Sequence, residues 1–254
     1  MQKRIAHITD THLDDKTALD RGINPRENLI AVLDAIATIG ADEIVCTGDI
    51  GESETYKWFF EKIEEYRPAC KITLGNHDDF EEAEKYFKTH KTSGKGELYY
   101  SAEDEFYRYI YLDSSSALIS PAQLSWLRGE ITTVKKIIVF IHHPVLGFTT
   151  GMDAVYPLRN REDVAAILQE CKQQVNIFCG HYHMPDRRVE GKIIQHITPA
   201  VSFQVKKFSP SIEIKSANFG FRIITITESA VKTRLYTSNY DYFSPALCEA
   251  KPTG

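Results

Sequence analysis

A chain of 254 residues, 43% hydrophobic and 26% charged, is long enough for one large α/β or β-sandwich domain and ordinary in composition for a globular protein. Its net charge of −5 argues against general nucleic-acid binding, because affinity for a phosphate backbone rests on clustered Lys and Arg. A small phosphate-bearing substrate remains compatible, since a metal ion can attract one locally. No stretch approaches the roughly 18 unbroken apolar residues of a membrane span.

The opening MQKRIAHITD is charged and reaches a strand-like run, RIAHI from residue 4, at once, so no signal peptide is expected. NLIAVLDAIATIG repeats its apolar residues at helical spacing and meets Gly40 near its end. EIVCT from 43 is a second strand, and SETYKWFFEKIEEY a helix with Ser53 as its N-cap; KITL from 71 is a third strand. ELYYSAEDEFYRYIYLDSS reads as two aromatic-rich strands around an acidic turn, and SPAQLSWLRGEI has the Ser-Pro start of a short helix. IIVFI from 137 and VNIFC from 175 are further strands, with REDVAAILQECKQ as a helix between them. From residue 192, KIIQHITPAVSFQV, FGFRIITIT and AVKTRLYTS alternate like antiparallel strands.

Strand and helix in alternation imply parallel pairing with crossover helices. With no linker and no internal repeat, the expected organisation is a single α/β domain of two packed sheets over residues 1–242. A loosely held tail, 243–254, follows. The five cysteines, 46, 70, 171, 179 and 248, form no CxxC. Cys46 and Cys179 lie inside apolar runs as small hydrophobes, and the odd number fits a reducing cytoplasm.

Each of the five apolar runs ends in a polar cluster. TDTH brings Asp10 and His12, GDIGE brings Asp49, and GNHDD brings Asn76, His77 and Asp78. HHP brings His142 and His143, and GHYH brings His181 and His183. Ligands of open α/β sheets bind outside the carboxyl ends of strands, so five such clusters converge on one crevice. Residues i and i+2 of an extended chain point to one side, so His181 and His183 are expected to present their rings together, with Tyr182 facing the core. Carboxylates, an amide oxygen and several imidazoles without a thiolate suit Zn, Mn or Fe better than a dedicated Mg or Ca cage. The donors are too many for one ion. Two ions sharing a bridging carboxylate would use them all, and paired ions promote hydrolysis at phosphorus.

The ordered series Asp-x-His, Gly-Asp, Gly-Asn-His-Asp, His-His-Pro and Gly-His-x-His, from residue 10 to 183, resembles the calcineurin-like metallophosphoesterase superfamily. The resemblance implies a four-layer α/β/β/α sandwich of two mixed sheets flanked by helices, holding two divalent metal ions (Mn, Fe or Zn). It places Asp10, His12, Asp49 and His183 around one ion. Asp49, as bridge, joins Asn76, His142 and His181 around the other, with His143 as the alternative to His142. His77 matches the non-ligand histidine that contacts the phosphate beside Asn76 and serves the leaving group, and Asp78 would orient its ring. His7, His90 and His196 read as structural or surface residues, with His196 the one that could reach the site.

GESETYKWF, MDAVYPLRNREDV, TPAVSFQVKKFSP and FGFRIITI are similar to segments of the class III cyclic nucleotide phosphodiesterases and related glycerophosphodiesterases. Ala200-Val201, where relatives often carry Ser or Thr, and NFGFR, in place of a Pro-Gly pair, depart from that pattern. The resemblance implies a metal-dependent phosphodiesterase. It would cleave a small phosphate ester, a cyclic nucleotide or another small diester, by attack of metal-activated hydroxide. A phosphomonoesterase or protein phosphatase is the alternative, and a non-catalytic scaffold a further one. A homodimer is compatible with the resemblance, and no membrane partner is expected. The loop from Leu146 to Asn160 begins at the crevice rim and is expected to wall the substrate, or else to pack Phe148, Met152 and Tyr156 onto the protein or a partner subunit.

Overall fold

The computed structural model describes residues 2–87, 96–209, 211–215, 218–238 and 243–245. In chain order it begins with β1 (Gln2–Ile8), α1 (Lys16–Leu19), α2 (Pro25–Ile39), β2 (Glu43–Cys46), α3 (Tyr56–Glu64), β3 (Ala69–Ile72) and α4 (Phe80–Tyr86). The middle carries β4 (Tyr100–Glu103), β5 (Tyr107–Tyr111), α5 (Pro121–Glu130), β6 (Lys136–Phe140), α6 (Gly151–Val155), α7 (Arg161–Gln169) and β7 (Val175–Cys179). Then come β8 (Asp186–Glu190), β9 (Ile193–Ile197), β10 (Gln204–Val205), β11 (Ile214–Lys215), β12 (Gly220–Thr227), β13 (Val231–Ser238) and β14 (Phe243–Pro245).

One sheet has the order β14-β13-β12-β1-β2-β3, the other β4-β5-β6-β7-β9-β8, and β10-β11 form a small ribbon. β1, β2 and β3 are parallel, as are β5, β6, β7 and β9; antiparallel β12, β13 and β14 extend the first sheet beyond β1, and antiparallel β4 and β8 form both edges of the second. This is the sandwich of two mixed sheets flanked by helices that the resemblance implies. Period-2 alternation decides the layers. Ile138 and Phe140 of β6 enter the core shared with the first sheet, while Ile137 and Val139 enter a second core with Leu127, Val164 and Leu168 of α5 and α7. α2 buries Leu29, Val32, Leu33 and Ile36, one stripe at helical spacing. It starts at Pro25, before the apolar stripe, because the Asn24 side chain caps the amides of Arg26 and Glu27.

Between the sheets an aromatic ladder crosses five strands in register. Tyr100 stacks on Tyr111 at 4.4 Å, Tyr111 on Phe140 at 5.3 Å, Phe140 on Phe178 at 5.7 Å and Phe178 on His196 at 5.1 Å. His196 is thus the last rung of the ladder and stays out of the polar crevice. His7 meets the ladder edge-on from the other sheet, its ring nitrogens bonded to the hydroxyls of Thr198 and Thr47. His90 lies outside the described residues.

Several elements differ from the sequence reading. Ser53 does not cap α3: Ser53–Thr55 form a 3-10 turn, closed by Thr55 N donating to Glu52 O, and the helix starts at Tyr56. β9 is antiparallel to β8 but parallel to β7. The hairpin reverses at Gly191, in the left-handed region at φ 55°, and β8 itself lacks an apolar alternation because it is an edge strand. Phe243–Pro245, at the head of the expected tail, pairs with β13 at the sheet edge. Among the described residues no helix is long and apolar enough to cross a membrane.

Phe140 is fully buried at the centre of the ladder, so Phe140→Ala should cost about 3–5 kcal/mol in urea unfolding. A loss below about 1 kcal/mol would show that the ladder does not hold the sheets together.

Candidate metal centre

The polar clusters follow the carboxyl ends of β1, β2, β3, β6 and β7, and the backbone there leaves the strand conformation. Asp10, His12, Asp49, His181 and His183 have φ of 54°, 43°, 52°, 68° and 50°. An L-residue in the left-handed region costs roughly 1–2 kcal/mol, and Asp and His are among the residue types that enter it most often. His181 and His183 therefore do not share one side of an extended chain. The intervening turn sends their rings to two different donor groups, while Tyr182 goes into the second core as expected.

Main-chain bonds between the clusters offset this strain. Asp10 N donates to Gly48 O at 3.0 Å, His12 N to Asp49 O at 2.9 Å and Gly180 N to His142 O at 3.0 Å. His181 N donates to the Asp10 carboxylate at 3.0 Å. The approach at Gly180 is so close that a Cβ would lie 2.0 Å from Thr9 Oγ1 and 2.4 Å from Asp10 Oδ2.

The structure brings Asp10, His12, Asp49 and His183 into one group of donor atoms, and Asp49, His142 and His181 into a second, each within 4.8 Å. All six side chains are buried. Asp49 Oδ2 belongs to both groups, 3.4 Å from His12 Nε2 and 3.3 Å from His142 Nε2. His183 Nε2 lies 3.3 Å from Asp10 Oδ1 and 3.1 Å from His12 Nε2. His142 Nε2 lies 3.2 Å from His181 Nδ1.

The far side of three rings decides what these short nitrogen pairs mean. His142 Nδ1 donates to Thr47 O at 2.7 Å, His181 Nε2 to Tyr156 O at 2.9 Å and His183 Nδ1 to Phe203 O at 2.9 Å. A carbonyl only accepts, so each of these nitrogens carries the hydrogen and the other offers a lone pair. The lone pairs of His142 and His181 face each other, an arrangement that needs a cation between them.

The electrostatics agree. Burial alone would raise Asp49, but the neighbouring His142 and His12 hold its carboxyl well below the usual range. Burial works to lower His142, and Asp49, Asp10 and the Thr47 carbonyl together push it up to about 9. Burial and the charge of His142 push His181 down to about 3. The pair thus takes one proton, on His142, which a metal held by both nitrogens would displace. Buried carboxylates and carbonyl-oriented imidazoles are the donor set and outer support of a divalent-metal site.

Asn76 and His77 stand exposed at the mouth. His77 N donates to Asp49 Oδ1 at 2.9 Å, and its ring centroid lies 5.2 Å from that of His12. Asp78 is placed differently from expectation. Its Oδ2 accepts from Asp49 N at 2.7 Å and Gly75 N at 2.8 Å, and its Oδ1 from Ile50 N at 2.8 Å and Tyr56 OH at 2.7 Å. Both oxygens are committed to tying the β2 and β3 loops together rather than to the His77 ring. Burial, then the Asp49 charge, push Asp78 up to about 6. His143 is also resolved: its Nδ1 bonds Ser114 Oγ at 2.9 Å, and it stands outside both donor groups.

Sequence reasoning missed the supports of the cluster. The carbonyls of Thr47, Tyr156 and Phe203 carry no residue-type signal. Phe203 also stacks over His12 and lies 4.6 Å from the His183 ring. The loop 146–160 is a packed strut, in which Leu146, Phe148 and Leu158 join the second core. Asp153 Oδ1 accepts from Tyr182 OH at 2.5 Å and Arg161 Nη1 at 2.6 Å, and Oδ2 from Phe148 N at 3.0 Å. Asp153 therefore ties the turn between His181 and His183 to the loop whose Tyr156 carbonyl orients His181. Val155 and Tyr156, 57% and 50% exposed, are left at the rim.

Residues 3–185 match the family model described as calcineurin-like phosphoesterase. A probable cyclic nucleotide phosphodiesterase of Fibrobacter succinogenes is 30% identical over 243 residues, covering 93% of this chain and 94% of that protein. A probable glycerophosphodiester phosphodiesterase of Arcobacter nitrofigilis is 29% identical, covering 79% of each. Among solved structures, a purple acid phosphatase from yellow lupin seeds superposes with a TM-score of 0.74 at 15% identity, over 96% of this chain and 53% of that one. A dimetal phosphatase from Danio rerio gives 0.66 at 13% identity, over 93% and 95%. At such identities the structures attest the fold alone.

Two substitutions test the supports. Asp153→Asn with Tyr182→Phe should weaken metal binding, by calorimetry, about 10-fold or more, the range for lost outer-sphere partners. Unchanged affinity would show that the loop plays no part in orienting His181. Gly180→Ala should reduce bound metal in a folded protein, because the new methyl displaces the Asp10 carboxylate.

Proposed function

The chain belongs to the calcineurin-like phosphoesterase family, and from that membership we propose a metal-dependent phosphodiesterase acting on cyclic nucleotides or other small diesters, with two divalent ions on either side of Asp49. The observation that carries this reading is the single oxygen, Asp49 Oδ2, at 3.4 and 3.3 Å from donor nitrogens of two separate groups. The names of the relatives similar over most of the chain support the diester over the monoester. The phosphatase reading rests on fold-level likeness.

Two such ions supply water activation near neutral pH and polarise the phosphoryl oxygens. The nitrogen-rich donor set favours Mn, Fe or Zn. Asp10, His12 and His183 would hold one ion, and His142, His181 and, by the resemblance, Asn76 the other, with Asp49 common to both. His77, exposed and with its amide donating to Asp49 Oδ1, would give a proton to the departing alkoxide and regain one from solvent. Asp78 acts as a positioning residue for the loops that present Asp49 and His77. A thiolate nucleophile is disfavoured, since burial pushes Cys46 and Cys179 well above the normal thiol range. Free Cys46, Cys70, Cys171 and Cys179 suit a reducing cytoplasm. A homodimer is compatible with the resemblance and is to be read from light scattering.

Metal-loaded protein should turn over 3′,5′- or 2′,3′-cyclic nucleotides or glycerophosphodiesters faster than phosphomonoesters. A monoester preference across the panel would overturn the diester reading. His77→Ala should keep its metals and lose roughly 10² to 10⁴-fold in turnover of an alkyl diester. It should lose less on a p-nitrophenyl ester, whose leaving group needs little protonation. Equal losses would remove the proton-donor role.

A further inference from the structure

The first turn of α2 reaches two loops at once. Residues i and i+2 of a helix face away from each other, so Arg26 and Asn28 leave the turn on different sides. Arg26 Nε and Nη2 grip the Asp14 carboxylate at 2.7 and 2.6 Å as a bidentate pair, and the guanidinium lies 4.4 Å from the centre of the Trp58 ring of α3. Asn28 Nδ2 donates to Val201 O at 3.1 Å and to Ser202 O at 2.9 Å. The helix itself is fixed: Asn24 caps it, and Leu29, Val32, Leu33 and Ile36 are seated in the core shared by the sheets.

Both loops lead to the same donor group. Asp14 lies two residues beyond His12 at φ 61°, in the left-handed region, where an L-residue needs support from its surroundings. Asp15 N closes the turn on His12 O at 3.1 Å. Val201 and Ser202 run into Phe203, whose carbonyl accepts from His183 Nδ1 and whose ring lies against His12 and His183. Ser202 N and Oγ donate to Asp10 O at 3.1 and 2.8 Å. Asp10, His12 and His183 are thus all braced by loops that α2 holds. The second group draws on other supports: His142 leans on Thr47 O, and His181 on Tyr156 O, whose loop Asp153 ties down.

We propose that the first turn of α2 is the separate support of one ion position, that of Asp10, His12 and His183, with Arg26 and Asn28 as its positioning residues. On the two-ion reading, on which this role depends, the positions share Asp49 but not their scaffolds, so each can be weakened alone. One helical turn holds the loop after His12 and the loop before Phe203, through two side chains that bond no metal-donor side chain among the described residues. Groups that orient ligands without touching the ion typically contribute about 10 to 100-fold in metal affinity.

Calorimetric titration with manganese, in proteins that keep one donor group each, separates the two supports. His142→Ala keeps the first group whole, and His12→Ala keeps Asp49, His142 and His181. Arg26→Gln with Asn28→Ala, added to His142→Ala, should weaken manganese binding about tenfold or more. Added to His12→Ala, the same two substitutions should leave the affinity unchanged. A merely structural role would weaken both proteins together, since a general loss of stability does not choose between ion positions. The otherwise native chain carrying Arg26→Gln and Asn28→Ala gives a second measurement: under a competing chelator it should release one ion early and hold the other as the native chain does. Equal losses in the two single-group proteins, or early release of both ions or of neither, would overturn the proposal. A native chain that saturates at one ion would overturn the two-ion reading itself, and this role with it.

Discussion

One carboxylate oxygen organises the crevice. Asp49 Oδ2 is buried among His12 and His142, where a lone ionised carboxylate would be prohibitively costly. It stays ionised because positive charge is available on both sides, and that demand propagates outward. The imidazoles must present lone pairs inward, so their outer nitrogens must meet carbonyls. The carbonyls belong to Thr47, Tyr156 and Phe203, on three separate loops, so those loops must be held in register. Asp78 holds the first and Asp153 the second, each using both oxygens on main-chain amides and side-chain donors, while Ser202 N and Oγ donating to Asp10 O and Asn28 Nδ2 donating to Val201 O and Ser202 O hold the third.

The fold provides rigidity where the loops store strain. Five buried residues of the two donor groups, all in left-handed conformations, amount to several kcal/mol of unfavourable backbone at roughly 1–2 kcal/mol each. Such conformations persist only where surroundings over-determine them. Beneath them lie parallel strands whose inner face is the aromatic ladder from Tyr100 to His196, and whose outer face is the second core. Directly above, Gly180 and its neighbours let the loops after β1 and β7 touch.

Much of this was legible in the sequence, for a definite reason. Parallel strands buried on both faces read as unbroken apolar runs, and the abrupt change to Asp, Asn, His and Gly marks where each ends. Asp10, His12, Asp49, His142, His181 and His183 could therefore be named in order, and the structure gathers them. The failures are equally physical. The i, i+2 spacing predicts an extended pair for His181 and His183, but left-handed φ values send them apart. Adjacency puts Asp78 on the His77 ring, whereas the amides of Asp49, Ile50 and Gly75 and the Tyr56 hydroxyl claim both its oxygens. Edge strand β8 has no buried face to show in its pattern, and partners such as the Tyr156 carbonyl are invisible to residue type.

The central claim is that Asp49 is shared between two cation positions, and metal stoichiometry tests it most directly. Protein purified in manganese and dialysed free of excess metal should hold two ions per chain by elemental mass spectrometry. His142→Ala should hold one, while Asp49→Ala should lose both with its fold intact by circular dichroism. An Asp49→Ala protein that retains two ions, or a native protein saturating at one, would contradict the account.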